Sequence, residues 1–183
     1  HGTLYGKENV KLEKNLNNSG SVQTTGNLSA KDTVNNGKLT SEGNISTDNL
    51  DNSGEIVTNG RLSTKNLENK STGKITAGEG ITAAGNAVNY GTVNTNSDFV
   101  ISSNLENYNV INAGGLLNTK NLQNTGALKV SAKIISRGSI FSNSGEILTA
   151  VLDVDTVNIS NSNKITVVET AELKGNSVNN QGT

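Results

Sequence analysis

Leu50-Asp51-Asn52-Ser53-Gly54 and Leu122-Gln123-Asn124-Thr125-Gly126 carry one signature, an aliphatic residue followed by Asn-x-Gly. Variants of it close a repeat about every 18 residues along the whole chain. The closing positions are Gly20, Gly37, Gly54, Gly73, Gly91, Asn109, Gly126, Gly145, Asn163 and Gly182. They divide the sequence into copies 3–20, 21–37, 38–54, 55–73, 74–91, 92–109, 110–126, 127–145, 146–163 and 164–182. A copy this short buries its apolar edge only against its neighbours, so the period itself argues for a stacked solenoid.

Working outward from the signature, each copy carries three aliphatic anchors. The first column is Leu4, Val22, Leu39, Ile56, Ile75, Val93, Ile111, Leu128, Ile147 and Ile165. The second is Val10, Leu28, Ile45, Leu62, Ile81, Phe99, Leu117, Ile134 and Ala171, with Asp153 as the exception in the ninth copy. Leu16, Val34, Leu50, Leu67, Val88, Leu105, Leu122, Ile140, Ile159 and Val178 are expected as the third. Two residues after the first two anchors stand small or β-branched side chains such as Thr58, Ala77, Thr64 and Thr119. Strand side chains alternate faces, so anchor and follower both point inwards.

This spacing predicts an all-β, right-handed parallel β-helix of about ten triangular coils with one short strand per side. A helix is disfavoured because the apolar spacing is two and six and Gly or Asn interrupts every few residues. Antiparallel hairpins are the rival, since Asn36-Gly37 and Asn59-Gly60 are strong two-residue turn signals. Hairpins do not require one turn to recur in the same register ten times, and the parallel form is preferred. An internal Asn ladder is expected at the closing corner, through Asn18, Asn36, Asn52, Asn69, Asn89, Asn107, Asn124, Asn143, Asn161 and Asn180. The Gly two residues later is expected to supply a positive φ, and Asn109 and Asn163 to adopt the same left-handed conformation.

Composition agrees with a polar but ordered array. The 183 residues include 31 Asn and 20 Gly, hydrophobic content is 32 % and aromatic content 3 %, and Pro, Cys, Met and Trp are absent. A net charge of −1 with scattered lysines offers no electrostatic case for nucleic acid. No apolar run is long enough for a membrane-spanning helix, and no signal peptide is seen. Without Cys there is no disulfide framework and no thiolate metal site. Residues 1–183 therefore read as a single β-helix segment, expected to be a fragment of a longer filament.

Few residues are left over for chemistry. His1 is the only His and stands at the start, so a His-based catalytic or metal centre is not expected. Asp153-Val154-Asp155 puts two carboxylates on one strand face, a candidate for Ca²⁺ or acid/base work as in carbohydrate-active β-helices. The plainer reading is a local bulge, with Leu152 or Val154 taking the anchor slot. Arg61 and Arg137 are the only arginines, four copies apart, and no cluster of acids, Arg or His accompanies Asp153 in the sequence. Tyr90 and Tyr108 occupy the same slot in adjacent copies and are expected to stack as an exposed pair. That pair is the one candidate binding feature, for glycan or protein, beside the plainer role of a surface stack between coils. No catalytic residue, cofactor or metal is assigned.

The run (Glu/Lys/Ser)-aliphatic-x-(Thr/Ala)-x-Gly-x-aliphatic-x-(Ala/Thr)-x-x-Leu-x-Asn-x-Gly resembles the filamentous haemagglutinin repeat. Its clearest copies are Glu55 to Gly73, with Thr64-Lys65-Asn66-Leu67-Glu68-Asn69, and Val110 to Gly126, with Thr119-Lys120-Asn121-Leu122-Gln123-Asn124. The resemblance extends over essentially the whole chain. It implies a two-partner-secretion exoprotein of Gram-negative bacteria, an adhesin or a contact-dependent growth-inhibition stalk. A structural shaft on the cell surface is then expected, secreted through an outer-membrane transporter as partner, with a host or bacterial surface receptor or glycan as a further partner. The family's secretion domain carries an Asn-Pro-Asn-type motif, which a chain without Pro does not contain.

Overall fold

The computed structural model describes residues 2–183, so His1, considered above, lies outside the described residues. Within them the chain is all-β with no helix, and it forms 25 short strands wound into about ten stacked coils. Every strand pairing is parallel, each to the coil below and the coil above. A typical coil has three sides, as in Lys74–Ala77, Gly80–Ala83 and Ala87–Asn89. In coil 55–73 the second and third sides run together as Arg61–Asn69. Strands of this length gain stability only from ladders above and below.

The first-anchor column pairs residue on residue as expected, from Leu4↔Val22 to Ile147↔Ile165. So does the second, from Val10↔Leu28 to Ile134, where Leu152 and not Asp153 takes the ninth slot. The cause is a coil one residue short at its first corner. Ser131 and Ala132 below, and Val168 and Glu169 above, stand opposite Ala150 alone. Leu152 and Val154 then point inwards, 1 % and 0 % exposed, and Asp153 points out.

The third column needs three corrections. Its inward members are Thr33, Ala87 and Phe141, while their neighbours Val34 and Ile140 are exposed and Val88 is half-buried. Thr33 is tolerated in the core because its hydroxyl meets that of Thr47 at 3.1 Å. Among the described residues no buried side-chain N or O lacks a hydrogen-bond partner.

The internal Asn ladder is present, with Asn35 rather than Asn36 in the second coil. Each Nδ2 donates to Oδ1 of the Asn one coil up, from Asn18 to Asn35 at 2.8 Å through to Asn161 and Asn180 at 2.9 Å. The same Nδ2 also meets backbone carbonyls of the bend, as Asn89 does with Gly91 and Val110, both at 3.0 Å. Asn36 lies outside, exposed, and accepts from the Ser53 hydroxyl.

The closing residues depart from expectation too. Among the described residues only Gly80 has a positive φ, at 121°; no closing Gly does, and neither Asn109 nor Asn163 is left-handed. At Gly54 glycine is favoured for space, since a Cβ there would lie 2.0 Å from the Gly37 carbonyl oxygen, whereas the corners of Asn109 and Asn163 are shaped to hold a side chain. Asn109 and Asn163 each return Nδ2 to a backbone carbonyl of the coil below, Tyr90 O at 3.3 Å and Ser144 O at 3.2 Å.

Candidate functional site

At the closing corner the residue between the inward Asn and the closing residue faces solvent. In successive coils this slot holds Ser53, Lys70, Tyr90, Tyr108, Thr125 and Ser144. Parallel stacking therefore sets Tyr90 and Tyr108 one above the other. Their rings are stacked as expected, centroids 4.7 Å apart and planes 8° from parallel, with 41 % and 42 % of each residue exposed. An offset aromatic pair contributes about 0.5–1.5 kcal/mol beyond area burial, so the stack supports the coils as well as standing ready for contact.

One outward neighbour on the third strand holds Tyr108 in place. The Tyr108 hydroxyl donates to Glu106 Oε2 at 2.8 Å. That bond to the carboxylate, with a smaller part from burial, raises the Tyr108 phenol above its ordinary range. One coil below Tyr90, Lys70 Nζ donates to Glu68 and lies 3.6 Å from Asp51 Oδ2. The Glu68 hydrogen bond is the main reason the Lys70 ammonium titrates above its usual value. A shallow groove of about 340 Å³ runs along this third face, lined by Val34, Asp51, Glu68 and Val88 among others, and reaches the coil of Tyr90.

Two further ladders on the outside escaped the sequence reading. At the third strand's leading edge, Asn49 donates to Asp32 at 2.7 Å, Asn66 to Asn49 at 2.9 Å and Asn121 to Asn104 at 2.7 Å. Asn66 and Asn86 in the same column accept backbone N–H groups of the next coil, at 3.2 and 3.3 Å. Before the second strand, the side chains of Asn9, Asn27 and Asn44 each accept a backbone N–H from the coil above at 2.7 Å. A signal for both existed in the sequence, since these Asn recur at the repeat period.

Asp153 is the other sequence candidate. It shares the outer face with Asp155, as expected, but it is not isolated. Lys133 Nζ lies at 2.7 Å, and Arg137 reaches up from the coil below to bind Oδ1 at 2.5 Å and the Asp153 carbonyl at 3.0 Å. These hydrogen bonds, that of Lys133 first, hold the carboxyl below its ordinary range. A carboxylate so engaged accepts from two cations and is a weak base for any added substrate. Sequence reading missed the cluster because Lys133, Arg137 and Asp153 meet only once the coils are stacked. Among the described residues no group of three or more His, Cys, Asp and Glu is placed to hold a metal ion. None of the described helices, there being none, is long and apolar enough to cross a membrane.

No protein-family model, curated protein or solved structure matches this chain.

Proposed function

We propose that this segment is a structural shaft, a rigid spacer in a secreted filamentous exoprotein on the surface of a Gram-negative bacterium. One observation carries the reading. The inward columns stay paired from the first coil to the last, the missing residue at the corner of coil 146–163 being absorbed before its second strand, and the polar ladder at the closing corner runs with them. A repeat array of this kind is approximately a sum of coil stabilities and nearest-neighbour interfaces, so it holds two ends apart at a set distance. Ten coils at about 4.8 Å give a rod on the order of 48 Å. The haemagglutinin-like repeat supports placing such a rod outside the cell and routing it through an outer-membrane transporter.

Antibodies raised against residues 1–183 test the placement. They are expected to label intact cells of the native host and to lose that label when the transporter gene is deleted. Labelling confined to permeabilised cells would sink the proposal.

A further inference from the structure

We propose that the third face around Tyr90 and Tyr108 is a docking surface for a cationic peptide segment. A lysine or arginine of the partner would lie against the tyrosine rings and pair with the Glu106 carboxylate. This goes beyond the shaft reading and does not depend on it.

The first support is charge. The outward positions of the third strands from coil 21–37 to coil 110–126 hold four carboxylates, Asp32, Asp51, Glu68 and Glu106, and no Lys or Arg. Lys31, Asp48, Lys65 and Lys120 stand at the corner before these strands and Lys70 at the corner after them. In the column nearest the tyrosine corner, Asp51, Glu68 and Glu106 face a single ammonium, Lys70, so the acidic excess lies beside the rings. Aromatic faces attract cations as well, most strongly where a carboxylate stands beside them.

The second is an internal precedent. Lys70 is a cation already seated on this face, between Glu68 in its own coil and Asp51 in the coil below. Two coils higher the same columns hold Tyr108 and Glu106, and the phenol O–H takes the place of the ammonium N–H. No lysine of the chain reaches Glu106. Glu106 thus holds a neutral donor where Glu68 holds a cation, and its Oε1, which no group among the described residues meets, is open to an outside cation.

The third separates a peptide from a sugar. Reading a neutral glycan takes free amide donors and acceptors beside the aromatic platform. Here the amide oxygens of the flanking column are all taken, from Asn49 and Asn66 through Asn86 to Asn104 and Asn121, and only the Nδ2 groups of Asn86 and Asn104 stay open as donors. Carboxylates keep spare lone pairs. An acidic glycan would be repelled. The fold does not require tyrosine in this slot either, since the same column is filled by Ser53, Thr125 and Ser144 elsewhere.

The test uses a fluorescein-labelled peptide alternating arginine and glycine, and a counterpart with glutamate for arginine. Each is titrated with the 183-residue chain at low salt and followed by anisotropy. The arginine peptide is expected to bind saturably and the glutamate peptide not at all. Tyr90→Ser, Tyr108→Ser and Glu106→Gln should each weaken binding about tenfold or more, while Glu146→Gln on the first face, an equal change of charge, leaves it unchanged. Serine already occupies the slot in other coils, and Glu106→Gln touches no ladder, so circular dichroism should be unaltered in all three. Absence of saturable binding overturns the proposal, and so does equal weakening by Glu146→Gln. Displacement of the peptide by an uncharged oligosaccharide would also overturn it in favour of a glycan site. Self-association that is lost in Tyr90→Ser would overturn it in favour of a second copy.

Discussion

Asn107→Ala is the substitution that weighs the internal ladder most directly. Asn107 is fully buried, accepts from Asn89 at 2.9 Å and donates to Asn124 at 2.8 Å. It also meets the carbonyls of Asn109 at 3.0 Å and Ala127 at 3.2 Å. After truncation Asn89 keeps two carbonyl acceptors for its two hydrogens, so little is lost below. Above, Asn124 Oδ1 is left without its donor in a dry corner, at a cost of about 1–3 kcal/mol. The void left by the amide adds about 1 kcal/mol. The expected loss of about 2–4 kcal/mol lowers the melting midpoint by roughly 5–15 °C for a chain of this length. Urea unfolding followed by circular dichroism, on the variant and its parent, measures it. Two neighbours serve as the internal control: Asn35→Ala should be costly, and Asn36→Ala should change stability by less than about 0.5 kcal/mol. The reasoning fails if Asn107→Ala unfolds with the parent, or if Asn36→Ala costs as much as Asn35→Ala.

Phe141→Ala should cost about 3–5 kcal/mol and Ile140→Ala less than about 1 kcal/mol, since only Phe141 lies in the core. Equal urea midpoints for the two would contradict the register. Gly54→Ala forces a methyl to 2.0 Å from the Gly37 carbonyl oxygen and should destabilise by about 1–3 kcal/mol, read from the thermal midpoint. A variant as stable as its parent would show that the corner has room. Asp153 gives an acid dependence: its carboxyl is held below the unfolded value, so its contribution is complete above the ordinary carboxylate range. That contribution is lost as pH falls through the lowered folded value. Asp153→Asn should flatten this part of the curve of urea midpoint against pH, and an unchanged slope would argue against it.

The fold was legible because period and alternation say the same thing at every coil. First and second anchors are aliphatic at almost every copy, and their columns pair as the spacing implies, with Leu152 in the place of Asp153. The third column failed where apolarity was allowed to choose between neighbours. Val34, Val88 and Ile140 are each beside the true inward residue, and strand alternation turns a slip of one into the opposite face. The buried Asn was the better mark. Two residues before Asn89 stands Ala87, and two before Asn143 stands Phe141. In the second coil Asn35-Asn36-Gly37 aligns with Asn52-Ser53-Gly54 only if Asn35 is inside. The role of the closing Gly was misread for a related reason. A turn residue in isolation suggests a positive φ, but the constraint here comes from the coil below, which no single repeat contains.

The same stacking decides what could and could not be seen of the site. Residues one coil apart are 17 to 20 positions apart in sequence yet touch in space, so a cluster on the surface forms between coils. The Tyr pair could be read because both members share one slot in adjacent copies. The Lys133, Arg137 and Asp153 cluster could not, because it crosses columns and depends on how far a guanidinium reaches between coils. Inward columns are constrained at every level by core packing, amide ladders and the glycine corner. Outside the two external Asn ladders, outward columns are constrained by little but solubility and neighbouring charge, as the run Ser53, Lys70, Tyr90, Tyr108, Thr125 in a single slot illustrates. A rod built this way can acquire a binding strip on any face without disturbing its core. Specific recognition on such a shaft is therefore to be sought where an outward column departs from its own small, polar habit, and Tyr90 with Tyr108 is the plainest departure in this one.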